Sequence, residues 1–191
     1  YLRAAKPGLK DIDHVILSHP HTDHVALLPD VLTAYSVKNV WDSGAETGIC
    51  GYAKLLMNTR DSGASYHSAL RGPGNHEIKF TKKCKDLDSS VTLKHGDQIH
   101  TALRLDLGTN AAMTFLYAEG KTKSDPNDNT LVVRLDLGGK RVLLMGDAGG
   151  GERELPTSAP SKKSVEGILL AERRAELDAD ILAAPAKPVL D

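Results

Sequence analysis

His14-Val15-Ile16-Leu17-Ser18-His19-Pro20-His21-Thr22-Asp23-His24 joins a short apolar run to a dense polar cluster. The run is β-branched in its middle and bounded by turn-type and polar residues, which predicts a buried strand. Beyond the cluster, Leu28, Val31, Leu32 and Tyr35 recur at helical spacing, with Pro29 tolerated in the first turn. Val37 to Trp41 predicts another strand. Strand, polar loop, helix, strand is a βαβ unit, and it favours an α/β layered fold.

The polar cluster carries the chemistry. In an extended segment alternate residues point the same way, so His19, His21 and Asp23 project to one side. His24 follows on the bend into the next helix. Two imidazoles and a carboxylate converging from a strand end supply most of the ligand shell of a first-row metal. The competing reading is a surface loop that is merely polar. The strand before the cluster and the helix after it favour the metal.

Outward from this core, residues 1–10 predict the end of a helix broken at Pro7-Gly8. The loop Ser43 to Gly48 leads to a helix around Tyr52–Asn58. His76–Phe80, the set Ile99, Thr101, Leu103, Leu105, and the set Met113, Phe115, Tyr117 all alternate, which predicts strands with one buried face. Ser124 to Asn129 reads as an Asx/Pro loop with no core of its own. Leu131–Leu135 and Arg141–Met145, joined through Gly138-Gly139, predict a hairpin. Ser164–Arg174 predicts an amphipathic helix with Val165, Ile168, Leu169 and Leu170 inward, and Asp180–Ala183 a last strand.

The hairpin ends at Gly146-Asp147. A strand-end aspartate between glycines has room for close approach. Alone it reads as a turn residue; beside the histidine cluster it is a candidate to bridge two metals. His14 is expected to be a packed or hydrogen-bonded strand residue. His67, His76, His95 and His100 are expected to be surface or sheet histidines, with His67 on a mid-chain loop.

At 191 residues the chain fits a single domain, 1–191, with a sizeable core. A net charge of -1 argues against a strong, sequence-blind grip on nucleic acid. The lysines at 82, 83, 85, 162 and 163 read as solvated surface. Cys50 and Cys84 form no disulfide framework and match no zinc spacing, so they are expected to be unpaired. No apolar stretch approaches the ~20 residues that span a bilayer, and no signal peptide is visible, so a soluble protein of open compartment is expected. The chain starts with Tyr in mid-pattern, which suggests a processed or truncated N-terminus.

His19-Pro20-His21-Thr22-Asp23-His24 resembles the HxHxDH signature of the metallo-β-lactamase superfamily, and VLLMGDAGG resembles its strand-end Asp motif. More narrowly, VILSHPHTDHVALLPDVL, NVWDSG, NDNTLVVRL before GKRVLLMGD, and SVEGILLAE leading into LDADIL are similar to the hydrolase domain of ComEC-type DNA-uptake proteins and their free-standing relatives. The resemblance implies an αββα sandwich. It implies that His19 and His21 hold one divalent metal, Zn or Mn, that Asp23 and His24 hold a second, and that Asp147 bridges them. Asp23 would also orient a nucleophilic water or hydroxide activated between the two ions.

The likeness also implies parts that these residues lack: strands ahead of the signature, and a His-His-Gly run after the strand at 177–182, where the sequence reads Ala183-Ala184-Pro185-Ala186-Lys187-Pro188. The expectation is therefore a sandwich short of part of its N-terminal sheet and of its C-terminal end. Val25-Ala26 replace the usual glycines after the signature, and Asp125–Asn129 offers no third His for the first metal. By the resemblance the substrate is a phosphodiester, DNA included. Two rivals stay open: hydrolysis of a β-lactam, lactone or thioester, and a degenerate module that binds metal or a partner without turnover. Oligomeric state is not legible.

Overall fold

The computed structural model describes residues 2–151 and 157–184. Two five-stranded sheets with helices make a mixed α/β architecture. The chain divides into two compact units, 1–98 and 99–191. Among the described residues no helix is long and apolar enough to cross a membrane.

The first unit starts with α1 (Leu2–Ala5), which ends before Pro7 and Gly8. Strand β1 (Asp11–Leu17) follows, then two short helices, α2 (Thr22–Val25) and α3 (Leu28–Ala34), and β2 (Ser36–Asp42). Helix α4 (Cys50–Ser62) leads to β3 (Ser65–Ser68), β4 (Gly74–Lys79) and β5 (Ser90–His95). The sheet order is β1-β2-β3-β5-β4, parallel except that β4 runs antiparallel to β5. This is the βαβ unit expected from the sequence, since parallel neighbours need a crossover.

Register levels the carboxyl ends of the first three strands. Leu17 pairs with Asp42, and Asp42 with Ser68. The histidine cluster leaves β1 at this edge, where open α/β sheets place their ligands. Tyr52, Leu55 and Leu56 of α4 are fully buried and pack with Val15, Leu17, Val40, Tyr66 and Leu93 into one core. The turn after β2 requires glycine: Gly44 has φ +81°, and a Cβ there would meet the Ser68 Cβ at 2.9 Å.

Cys50 and Cys84 are bonded to each other, with Cα atoms 5.6 Å apart, correcting the expectation of unpaired thiols. A separation of 34 residues carries no pairing signal. Packing supplies it, by bringing the start of α4 against the segment between β4 and β5.

The second unit contains β6 (Arg104–Gly108), β7 (Ala111–Tyr117), β8 (Val132–Leu137), β9 (Lys140–Leu144), α5 (Val165–Glu172) and β10 (Ile181–Ala183). Its order is β10-β9-β8-β7-β6, antiparallel except for the parallel pair β9 and β10. The β8–β9 hairpin turns through Gly138 and Gly139, at φ +57° and +82°, as a two-residue turn with two left-handed positions demands. Val165 and Leu169 of α5 pack with Leu116, Val132 and Leu143. Ser164 caps this helix by accepting from the Gly167 N–H at 3.1 Å.

One expectation fails here and one holds in part. The alternation from Ile99 predicts a strand, yet β6 begins only at Arg104. Ala102 takes φ +72°, and the Leu103 N–H donates to the His100 carbonyl, so a turn occupies the first half. The segment Ser124–Asn129 is the Asx/Pro turn expected, with the Asp125 carboxylate accepting from the Asn127 N–H at 2.9 Å, but it is not wholly exposed. Pro126–Asn129 is a 3-10 turn in which Asn127 and Asn129 are buried. The Asn129 amide donates to the carbonyls of Lys123 and Asp125 and accepts from the Lys123 N–H.

Candidate metal centre

The chain turns sharply as it leaves β1. Pro20 biases His19 away from helical backbone, and the chain bends at Ser18 and His19. The His21 N–H donates to the His19 carbonyl at 3.1 Å, and the His21 carbonyl then accepts from the N–H groups of His24 and Val25, opening α2. The expected extended alternation therefore stops at His21. Asp23 lies in the first turn of α2, a position that favours a carboxylate. Val25 is fully buried and pins the far end of the turn.

Four of the five expected ligands come together at this bend. The His19 Nε2 and His21 Nδ1 atoms lie 2.9 Å apart, and the His24 Nε2 lies 3.5 Å from the Asp23 Oδ2. Ring nitrogens of His19 and His24 come within 4.8 Å of each other, with ring centroids at 4.2 Å. His19 is fully buried, the His24 side chain is 26% exposed and the Asp23 side chain 78%. His19 is thus shielded from solvent while the Asp23 carboxylate is open to it.

Ser18 makes two further contacts at this bend. The Ser18 Oγ lies 3.2 Å from the Nδ1 of His19 and 3.2 Å from the Nδ1 of His24. Sequence reading assigns Ser18 no role, because a lone serine at a strand end carries no signal of its own.

The donor set suits a divalent ion. Nitrogens bound to one tetrahedral zinc stand about 3.3 Å apart, from bonds of about 2.0–2.1 Å. The His19 and His21 pair needs only a few tenths of an ångström of opening to accept such an ion.

Asp147 stands in the second unit. It follows β9 by way of Met145, whose N–H donates to the Ala183 carbonyl, and of Gly146, at φ +54°. The left-handed residue ends the strand and sets Asp147 at its tip. The strand expected at Asp180–Ala183 is β10, while residues 185–188 of the segment compared with a His-His-Gly run lie outside the described residues.

Next to β1, the end of β2 holds a buried carboxylate that sequence reading passed over. Asp42 is fully buried, and its Oδ2 accepts hydrogen bonds from the hydroxyls of Tyr52 and Tyr66, each at 2.6 Å. Burial raises the Asp42 pKa, the two tyrosines opposing it, and burial beside that carboxylate holds both tyrosine hydroxyls well above their ordinary value.

The other histidines build the sheet. His14 accepts from the Trp41 indole N–H at 3.0 Å, as expected of a packed strand residue, and burial lowers its pKa. His67 lies in β3, not on a loop; it is 7% exposed and stacks on Trp41 with centroids 3.9 Å apart. His95 is buried edge-on to Tyr66 and His76. Its pKa falls to about 4, chiefly through burial and then through the neighbouring charges of His76 and Arg71.

The sequence model of the metallo-beta-lactamase superfamily matches residues 2–101, just over half of the chain. The match takes in the whole His19–His24 bend and stops short of Asp147. No curated protein matches the sequence.

Proposed function

The chain belongs to the metallo-beta-lactamase superfamily, and from that premise we propose that it is a metal-dependent hydrolase with a dinuclear site, acting on a phosphodiester. Membership suggests hydrolysis, and the two sheets with their helices are consistent with the α/β sandwich of that superfamily.

The reading rests on one observation: ligand-type atoms meet in two pairs at the end of β1. His19 Nε2 with His21 Nδ1 would hold one ion, and His24 Nε2 with Asp23 Oδ2 a second. Asp147, on its strand-end turn, is the proposed bridge, and 1–191 would act as one catalytic domain. Zinc or manganese, when bound, supplies Lewis acidity and lowers the pKa of water to near neutrality.

The protein's own groups do the rest. The Asp23 carboxylate, exposed on the first turn of α2, accepts a hydrogen bond from the attacking water and orients it. The turn from His19 to His21 brings the His19 Nε2 and the His21 Nδ1 together before substrate arrives.

A phosphodiester is favoured because paired divalent ions stabilise both the attacking and the leaving oxygen of an in-line displacement. DNA is one such substrate. The net charge of -1 favours short or small diesters over a long duplex groove.

Elemental analysis of protein purified without chelators, its termini checked by intact mass, tests the reading. About two ions per chain with phosphodiester hydrolysis supports it. One ion or none refutes the dinuclear site and favours a second reading, a non-catalytic metal- or partner-binding module. That module is supported by Ala183-Ala184-Pro185-Ala186-Lys187-Pro188 standing where the resemblance expects a His-His-Gly run. Unchanged activity in Asp147→Asn would remove the bridge.

A further inference from the structure

We propose that the Cys50–Cys84 bond is a redox-sensitive clamp on the helical turn that supports Asp23 and His24. A dithiol opens it in the folded protein, and the opened chain holds a divalent ion more weakly. The second half of the inference rests on the metal-centre reading above.

Helix α4 starts poorly by itself. Cys50 is its first residue, the N-cap Ile49 gives no side-chain hydrogen bond, and no acidic residue stands in the first turn. A side-chain cap and a first-turn carboxylate are the usual supports of a helix start. Gly51, the second residue, weakens it further. The disulfide does at this end what a cap does elsewhere. It ties Cys50 to a loop that is itself held: Phe80 and Leu87 pack on the core of the first unit, and the Phe80 N–H donates to the Ser89 carbonyl at 2.9 Å. The chain entering α4 lies close against that loop, since a Cβ on Gly48 would meet the Lys82 Cβ at 3.3 Å.

The clamped turn backs the candidate ligands. A Cβ on Gly51 would meet the Val25 Cγ1 at 3.3 Å, and Val25, fully buried, is the last residue of α2, directly after His24. Asp23 and His24 lie on that same short helix. A single helical turn has little order of its own, so the position of α2 follows what Val25 packs against. Tyr52, two residues beyond Cys50, stays anchored on Asp42. Opening the bond therefore frees residues 49–51 without unfolding the unit.

The bond is also open to exchange. Cys50 is half-buried and Cys84 buried, so an external thiolate attacks the Cys50 sulfur and expels the Cys84 thiolate. Lys82, Lys83 and Lys85 flank Cys84, against Asp86 as the one acid within two residues, and positive charge stabilises the departing thiolate. The second thiol of the reductant then attacks the mixed disulfide and releases the Cys50 thiolate at a helix N-terminus. Two electrons pass from the dithiol, which closes to its own cyclic disulfide, and its two protons end on Cys50 and Cys84.

The test treats metal-free native protein with dithiothreitol at neutral pH, without denaturant, and alkylates the thiols released. Intact mass should show two added groups. Backbone hydrogen exchange should then be faster than in oxidised protein at 22–26 and 49–53, and unchanged on β3. Zinc is titrated into oxidised protein and into the Cys50→Ala/Cys84→Ala variant, which has no thiols of its own to bind it. The variant should bind about 5- to 150-fold more weakly, the usual span of coupling between two sites. A bond that dithiothreitol does not open in native protein overturns the proposal. So does unchanged exchange at 22–26 after opening, or exchange raised across the whole unit, which would make the bond a plain cross-link. Equal zinc affinities in the two proteins overturn the coupling to metal. An oxidised chain that takes up no zinc sinks the metal-centre reading instead, and exchange at 22–26 still decides the clamp.

Discussion

Breaking the Cys50–Cys84 bond is a perturbation whose size follows from the structure. The bond ties the first residue of α4 to the segment between β4 and β5, across 34 residues of sequence. A cross-link of that span removes chain entropy from the unfolded state worth roughly 3–4 kcal/mol at 25 °C. With a urea slope of roughly 2 kcal/mol per molar, the unfolding midpoint should fall by roughly 2 M. Trp41 is the sole tryptophan, is 4% exposed and sits on β2 of the same unit, so its emission reports this transition. The assay compares oxidised protein, protein reduced under native conditions, and the Cys50→Ala/Cys84→Ala variant, all in one buffer. The reduced protein and the variant should shift alike, because the constraint acts on the unfolded chain. Equal midpoints in all three, or two thiols titrating in native unreduced protein, would refute the reasoning.

Acid should weaken the first unit through His95. Its folded pKa of about 4 lies below the unfolded value of 6.5, so the unfolded chain binds the extra proton first. Stability is full above pH 6.5 and falls by about 3 kcal/mol as the pH drops to 4; urea midpoints across that range should lose most of this slope in His95→Leu. Tyr52→Phe and Tyr66→Phe each remove one hydrogen bond from the buried Asp42 carboxylate and should cost about 1.5–3 kcal/mol in thermal or chemical unfolding. Gly44→Ala should cost more than about 1 kcal/mol, since it strains a left-handed residue and drives a Cβ onto Ser68, and calorimetry reads the loss directly. If the substrate is a phosphate polymer, its binding should weaken steeply as salt rises; salt-independent KM values would point to a neutral amide or ester.

Much of the fold is legible without coordinates. The run His14–Leu17 lies within β1, Leu28–Tyr35 spans α3 and its cap, Tyr52–Asn58 lies inside α4, and the Gly138-Gly139 turn joins β8 to β9. Each has a local cause: apolar spacing, or glycines at left-handed positions. β3 escaped because Ser65-Tyr66-His67-Ser68 has one large apolar residue and is held by neighbours on both sides. β5 alternates visibly, with Val91 and Leu93 inward, but is bracketed by charged turns and was passed over. The strand expected from Ile99 fails for the opposite reason, since alternation permits a strand but a turn at Ala102 consumes its first residues.

The candidate site divides in the same way. The residue types and their spacing are covalent facts of the chain, so His19, His21, Asp23, His24 and Asp147 can be named as candidate ligands from sequence alone. Which atom of each ring faces inward is not local. It depends on the bend at Pro20 and on the start of α2. The disulfide, the Asp42 carboxylate between two tyrosines and the His67–Trp41 stack are likewise products of packing. Sequence sets backbone preference and the chemistry available, because those act over a few residues. Contacts between residues far apart in the chain exist only once the sheet registers are set, and those registers decide which groups are buried together.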